Sequence, residues 1–220
     1  MIKNLPLFWR RFFVVLTGST LAQAIPVLTM PLLTRILSPA ELGAFLVWMG
    51  VVTVLSVIIS LRLDVAVFNI NTQKQLESLI NAGIICSFLI SGAIYGALLI
   101  LDYTAPSFVK EFNLNSMRGE ALSLGVVWAL NMFIQNVYIY GAHFKRQAAV
   151  RIFQAALIAT GQLTAALMGW GVKGIIHTQI ITSIIILFYS FFDVFRLFHI
   201  PFSRDWLSGW RQALMMHWRF

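Results

Sequence analysis

The sequence has 220 residues, of which 59% are hydrophobic and 11% charged, and a net charge of +8. A soluble domain carries about 25% charged residues, so these charges cannot cover a globular surface in water, and lipid is the expected solvent. The single cysteine, Cys86, excludes an internal disulfide and a cysteine-based zinc site, and reads as a small apolar filler.

Charge-free runs occupy 12–34, 42–61, 78–101, 121–144, 152–172 and 174–192. Crossing the hydrocarbon takes about 20 apolar residues at about 1.5 Å each. The chain is therefore predicted to be an all-α membrane protein with six transmembrane helices, at about 12–34, 40–61, 78–101, 121–142, 152–170 and 174–194. These form a lobe over 1–195, followed by a basic tail over 196–220.

The first span begins like a signal peptide, with Lys3, Arg10 and Arg11 before FFVVL and LAQA at 21–24. A signal peptide needs an apolar core of about 7–15 residues. Here five residues precede Thr17-Gly18-Ser19, and apolar character continues to Leu33, so an uncleaved span is expected. Pro26 and Pro31 lie within it and predict a kinked or partly broken helix. Arg35 closes the span, where a cation suits the carbonyl-rich helix end.

Ser38-Pro39-Ala40-Glu41 then supplies a capping box, with proline at the first helical position, and starts the second helix near Pro39. At its far end SLRLDVAVFN (60–69) offers Arg62 and Asp64 as a local ion pair, or Arg62 as an anion-handling group. The third span carries Gly92-x-x-x-Gly96, a small-residue pair that lets helices approach closely, expected within this fold. A long outer loop with Pro106 follows at 102–120.

The fourth span holds Asn131, Gln135 and Asn136. The first two share a helical face. Polar residues recur at Gln23 in the first span, at Gln162 and Thr164 in the fifth, and at Thr178, Gln179, Thr182 and Ser183 in the sixth. Two readings stand side by side: interhelical hydrogen bonds, worth about 0.6 kcal/mol each, or the lining of a water-filled cavity. HFKRQAAVR (143–151) reads as a short basic loop. GWGVKG (169–174) satisfies G-x-G-x-x-G but follows a membrane helix, so a turn is expected there and not a dinucleotide site. The tail PFSRDWLSGWRQALMMHWRF mixes tryptophan with arginine and suits the headgroup zone.

Charge placement sets the orientation. With the N-terminus inside, twelve cations fall on inner segments: Lys3, Arg10, Arg11, Arg62, Lys74, Lys145, Arg146, Arg151, Arg196, Arg204, Arg211 and Arg219. Four fall outside, namely Arg35, Lys110, Arg118 and Lys173. This is the positive-inside asymmetry, with both termini cytoplasmic, so the basic balance reads as topology and no nucleic-acid partner is expected. His143, His177, His199 and His217 are too scattered for a metal motif. No catalytic constellation or cofactor motif stands out, and an enzyme is not expected.

LTGSTLAQAIPVLTMPLLTRILSPAELGAF (16–45) resembles the first helix pair of polysaccharide flippases of the MATE-like (MOP) superfamily, the Wzx-type O-antigen and lipopolysaccharide exporters. There a proline-bearing helix ends in L-T-R and is followed by P-x-x-(F/L/Y)-G. SLRLDVAVFN is similar to the family's end of helix 2, and FKRQAAVRIFQAALIATGQLTAALMGWGVKGII (144–176) to its basic segment, fifth helix and turn.

The resemblance implies a transporter in the bacterial inner membrane that flips an undecaprenyl-pyrophosphate-linked oligosaccharide. It places Arg35, Arg62, Lys145, Arg146 and Arg151 at the pyrophosphate, and Gln23, Asn131 and Gln135 at the sugar. Such families carry about twelve spans in two lobes. A chain with one lobe is expected to be an N-terminal half, from a truncated or split frame, that works with a second lobe or as a homodimer. The alternative is a non-transporting six-span subunit that assists assembly of an envelope glycan pathway.

Overall fold

The computed structural model describes residues 7–70, 72–104 and 118–198, and every regular element among them is helical. In chain order these are α1 (Leu7–Ile36), α2 (Pro39–Ser60), the short α3 (Leu63–Ala66) with a 3-10 turn at Val67–Asn69, α4 (Gln73–Thr104), α5 (Arg118–Tyr140), α6 (Phe144–Leu167) and α7 (Gly171–Phe198). All except α3 are long and apolar enough to cross a membrane. Side chains that a water-soluble protein would bury lie outside, with Leu28 72%, Ile100 66% and Phe192 68% exposed. Such a surface is stable only against hydrocarbon, and the chain is a multi-pass membrane protein. The tail from 199 onward, with His199 and His217, and the loop at 105–117, with Pro106, lie outside the described residues.

The helices depart from expectation at three places. α1 runs unbroken through Pro26 and Pro31, because a membrane helix tolerates the missing N–H that would end a helix in water. The segment 144–151 is not a loop but the first two turns of α6. Lys, Arg, Gln and Ala are good helix formers, and long cationic side chains can reach the interface from a helix end. Among the described residues the Gly92/Gly96 pair does not bring helices together, since a Cβ at either position would meet nothing within 4 Å.

The chain divides into two compact units, Met1–Leu46 with Val137–Val194, and Val47–Asn136 with Phe195–Phe220. In the first, α1 packs along α6. Gly18 is the point of closest approach: a Cβ there would run into Ala148 Cβ and lie 3.1 Å from its Cα.

The capping box forms as expected. The Ser38 N–H donates to Glu41 Oε2 at 3.0 Å, and the Glu41 N–H to Ser38 Oγ at 3.3 Å. α6 ends in a Schellman motif, with the Trp170 N–H on Ala165 O and the Gly169 N–H on Ala166 O, each at 3.1 Å. Gly169 takes the left-handed position at φ 70°, so GWGVKG is a helix-terminating turn. α5 ends in the same motif, through His143 N–H to Tyr138 O and Ala142 N–H to Ile139 O, but with Ala142 at φ 57°.

In the second unit one core cluster is Ile59, Leu122, Val126 and Ala129, with Leu55, Ile90, Ile94 and Leu98 packed on it. α2, α4 and α5 thus meet around one apolar cluster. Gly125 makes the approach close, since a Cβ there would sit 3.2 Å from Ile59 Cδ1 and 3.3 Å from Leu55 Cβ.

Candidate functional site

The eight residues singled out in the sequence divide between the units. Gln23, Arg35, Lys145, Arg146 and Arg151 belong to the first, Arg62, Asn131 and Gln135 to the second. In the first unit, Gln23 and Arg35 lie exposed on α1. Lys145 and Arg146 occupy the first turn of α6, exposed, and Arg151 is half-buried one turn and a half further on.

Arg146 is not a free cation. Its Nη1 donates to Asp193 Oδ1 at 2.5 Å, and the buried Tyr138 hydroxyl donates to Asp193 Oδ2 at 2.9 Å. One carboxylate thus ties the end of α5, the start of α6 and the last turns of α7. The pair opens on a pocket of about 310 Å³ lined by Arg146, Ala149, Val150, Phe153, Tyr189 and Asp193. Higher in the same unit, Gln162 Nε2 donates to Gln179 Oε1 at 2.7 Å, both residues buried. This pair bonds α6 to α7.

The second unit holds a different chemistry. Arg62 sits exposed between α2 and α3 at φ 56°, next to Leu61 at φ 45°, and two successive left-handed non-glycine residues are a strained connection. The Arg62 N–H is held by Ser60 Oγ at 3.2 Å. The expected Arg62–Asp64 ion pair does not form. Asp64 is buried, and Asn136 Nδ2 donates to its carbonyl at 3.0 Å and to its Oδ2 at 3.2 Å. The left-handed turn carries the Arg62 side chain to the surface while α3 carries Asp64 inward against α5.

Asn131 and Gln135 are both buried on α5. Among the described residues neither amide atom of Gln135 finds a hydrogen-bond partner, and the Trp128 indole N–H on the same stripe has none. Residues 128, 131 and 135 follow helical spacing, so α5 presents polar groups along one face of a buried helix. Among the described residues no group of three His, Cys, Asp or Glu side chains could hold a metal ion.

Two contacts were not legible locally. Asp193 and Tyr138 lie 55 residues apart, and no spacing rule links them. Asn136 was visible as polar, but its partner lies 72 residues away.

Comparison with curated proteins and with solved structures gives no match. A family model described as polysaccharide biosynthesis protein matches residues 32–209, which spans α2 to α7 and most of the chain. The chain belongs to the polysaccharide biosynthesis protein family.

Proposed function

We propose that this chain moves a lipid-linked oligosaccharide, an undecaprenyl-pyrophosphate-linked repeat unit, across the bacterial inner membrane, as Wzx-type flippases of the MATE-like superfamily do. It acts as a carrier and not as an enzyme, with both termini cytoplasmic, in concert with a second lobe or a second copy. The observation that carries the reading is Gln135, buried with neither amide atom partnered. A buried amide left without hydrogen bonds costs about 1–3 kcal/mol per group. A membrane helix that keeps one supplies donors and acceptors to something outside the chain, and sugar hydroxyls have that chemistry. An oligosaccharide cannot cross dry hydrocarbon, whereas its lipid tail can stay in the bilayer. Exposed cations in each unit, Lys145 at the start of α6 in the first and Arg62 between α2 and α3 in the second, offer counter-charge to the pyrophosphate.

The test uses cells whose surface glycan depends on this chain. Gln135→Leu and Arg62→Gly are expected to lower surface glycan and to leave lipid-linked repeat units on the cytoplasmic face, with unchanged protein in the membrane. Unchanged glycan in both variants, at normal protein level, would sink the assignment.

The Gln162–Gln179 pair favours the second reading, a non-transporting six-span subunit of an envelope glycan pathway, because these buried amides bond to each other. Cysteines at positions 23, 131 and 135 discriminate the two. Labelling by a membrane-impermeant thiol reagent supports a polar path, and protection of all three supports the subunit.

A further inference from the structure

We propose that the pocket beside Arg146 binds an anionic glycerophospholipid of the surrounding bilayer, its phosphate on Arg146 and an acyl chain against Phe153 and Tyr189. The inference does not depend on the transport reading.

The pocket has two chemically distinct parts. Ala149, Val150, Phe153 and Tyr189 form an apolar and aromatic wall along facing turns of α6 and α7. Phe153 and Tyr189 are 53% and 55% exposed, so the wall is open to a chain arriving from the side. Its volume of about 310 Å³ lies at the small end of the ~300–1,000 Å³ range of ligand pockets. That suits a headgroup and the upper part of one chain.

The polar part is Arg146, and its geometry is already fixed. Asp193 is held by Tyr138 through one oxygen and holds Arg146 through the other. The Arg146 side chain remains 51% exposed. A guanidinium has five N–H donors in a planar fork, so those not engaged by Asp193 can reach two oxygens of a phosphodiester. Lys145 and Arg151 lie on the same two turns of α6, which leaves the neighbourhood net positive after Asp193 is counted.

Depth identifies the occupant. Arg146 lies in the first turn of α6 and Asp193 near the end of α7, so both sit where a membrane helix leaves the hydrocarbon. Basic pockets between helices at that level take phosphorylated headgroups. A soluble anion would use the cation and ignore the aromatic wall. A phospholipid uses both.

The experiment places the purified chain in nanodiscs of phosphatidylcholine and phosphatidylglycerol, then follows retained lipid by native mass spectrometry during delipidation. Wild type is expected to keep phosphatidylglycerol over phosphatidylcholine. Three variants are compared. Ala149→Trp fills the pocket and leaves the ion pair in place, Phe153→Ala removes the wall at an exposed position, and Arg146→Gln removes the charge. Each is expected to lower phosphatidylglycerol retention, the last by about fivefold, the scale of one cation at the membrane surface. Helicity by circular dichroism confirms that each variant is folded. Equal retention of the two lipids by wild type overturns the proposal, as does unchanged retention in folded Ala149→Trp and Phe153→Ala. Displacement of the lipid by millimolar inorganic phosphate also overturns it, because the apolar wall would then contribute nothing.

Discussion

Arg146 and Asp193, 47 residues apart in sequence, meet through a single Nη1–Oδ1 contact of 2.5 Å, and the second oxygen of the same carboxylate takes the Tyr138 hydroxyl. The cation that a sequence reading offers to a pyrophosphate is therefore anchored by a carboxylate of its own chain. It can still meet a phosphate through its remaining donors, but as part of a fixed assembly of three helix ends.

The coupling between the two residues should be measurable. The Arg146 side chain is half exposed and that of Asp193 is 18% exposed, so solvent screens the pair and its value is closer to that of a surface bridge than a buried one. A double-mutant cycle with Arg146→Ala and Asp193→Ala, read by thermal unfolding in detergent, should give about 1 kcal/mol of interaction. Asp193→Ala alone should cost more than Arg146→Ala, since it also takes from the buried Tyr138 hydroxyl its nearer acceptor and leaves it the Ser190 carbonyl at 3.4 Å.

Gly18 and Ala148 test how tightly α1 lies on α6. A methyl at position 18 has no room, so Gly18→Ala forces the helices apart, even though alanine is the better helix former. The expected cost is about 1–3 kcal/mol. Adding Ala148→Gly should restore most of it, because the two methyls compete for one space. The same unfolding measurement reads both, and a Gly18→Ala protein as stable as wild type would mean that this contact is looser than described.

Ala142 gives a prediction of opposite sign. It fills the left-handed position of the α5 C-terminal motif at φ 57°, where its Cβ is disfavoured by about 1–2 kcal/mol and glycine is not. Ala142→Gly should raise stability by about 1 kcal/mol, less whatever chain entropy the glycine adds to the unfolded state. The corresponding change at α6 has been made by the sequence itself, which has Gly169 there.

These cases explain what a reader of the sequence alone could see. The capping box at Ser38 and Glu41, the glycine turn at 169–171 and the six apolar runs rest on residues within four positions of one another, or on length and composition, and all were legible. The start of α6 was misread because its charges suggested a loop, although the same residues are good helix formers. Arg62 and Asp64 are neighbours in sequence yet face apart, because two left-handed residues lie between α2 and α3. Asn136 with Asp64 and Arg146 with Asp193 are tertiary pairs across 72 and 47 positions, and no local pattern encodes them. The stripe of amides on α5 was visible as periodicity, but not which amides would find partners.

That difference sets the last prediction. Gln162 and Gln135 are buried amides in membrane-spanning helices, and a residue scale would treat them alike. Gln162 has Gln179 as its partner at 2.7 Å, so Gln162→Leu leaves a buried amide oxygen without its donor and should destabilise the protein by about 1–3 kcal/mol. Gln135 has no partner for either amide atom, so Gln135→Leu removes an unmet cost and should raise stability by about 1–2 kcal/mol. If the side chain serves a hydrophilic ligand, the same variant gains stability and loses surface glycan, the trade expected at a functional position. Thermal unfolding in detergent together with surface glycan in complemented cells reads both quantities. A Gln135→Leu protein less stable than wild type would mean that the amide is bonded inside the chain after all, and that α5 is held by glue along its whole polar face.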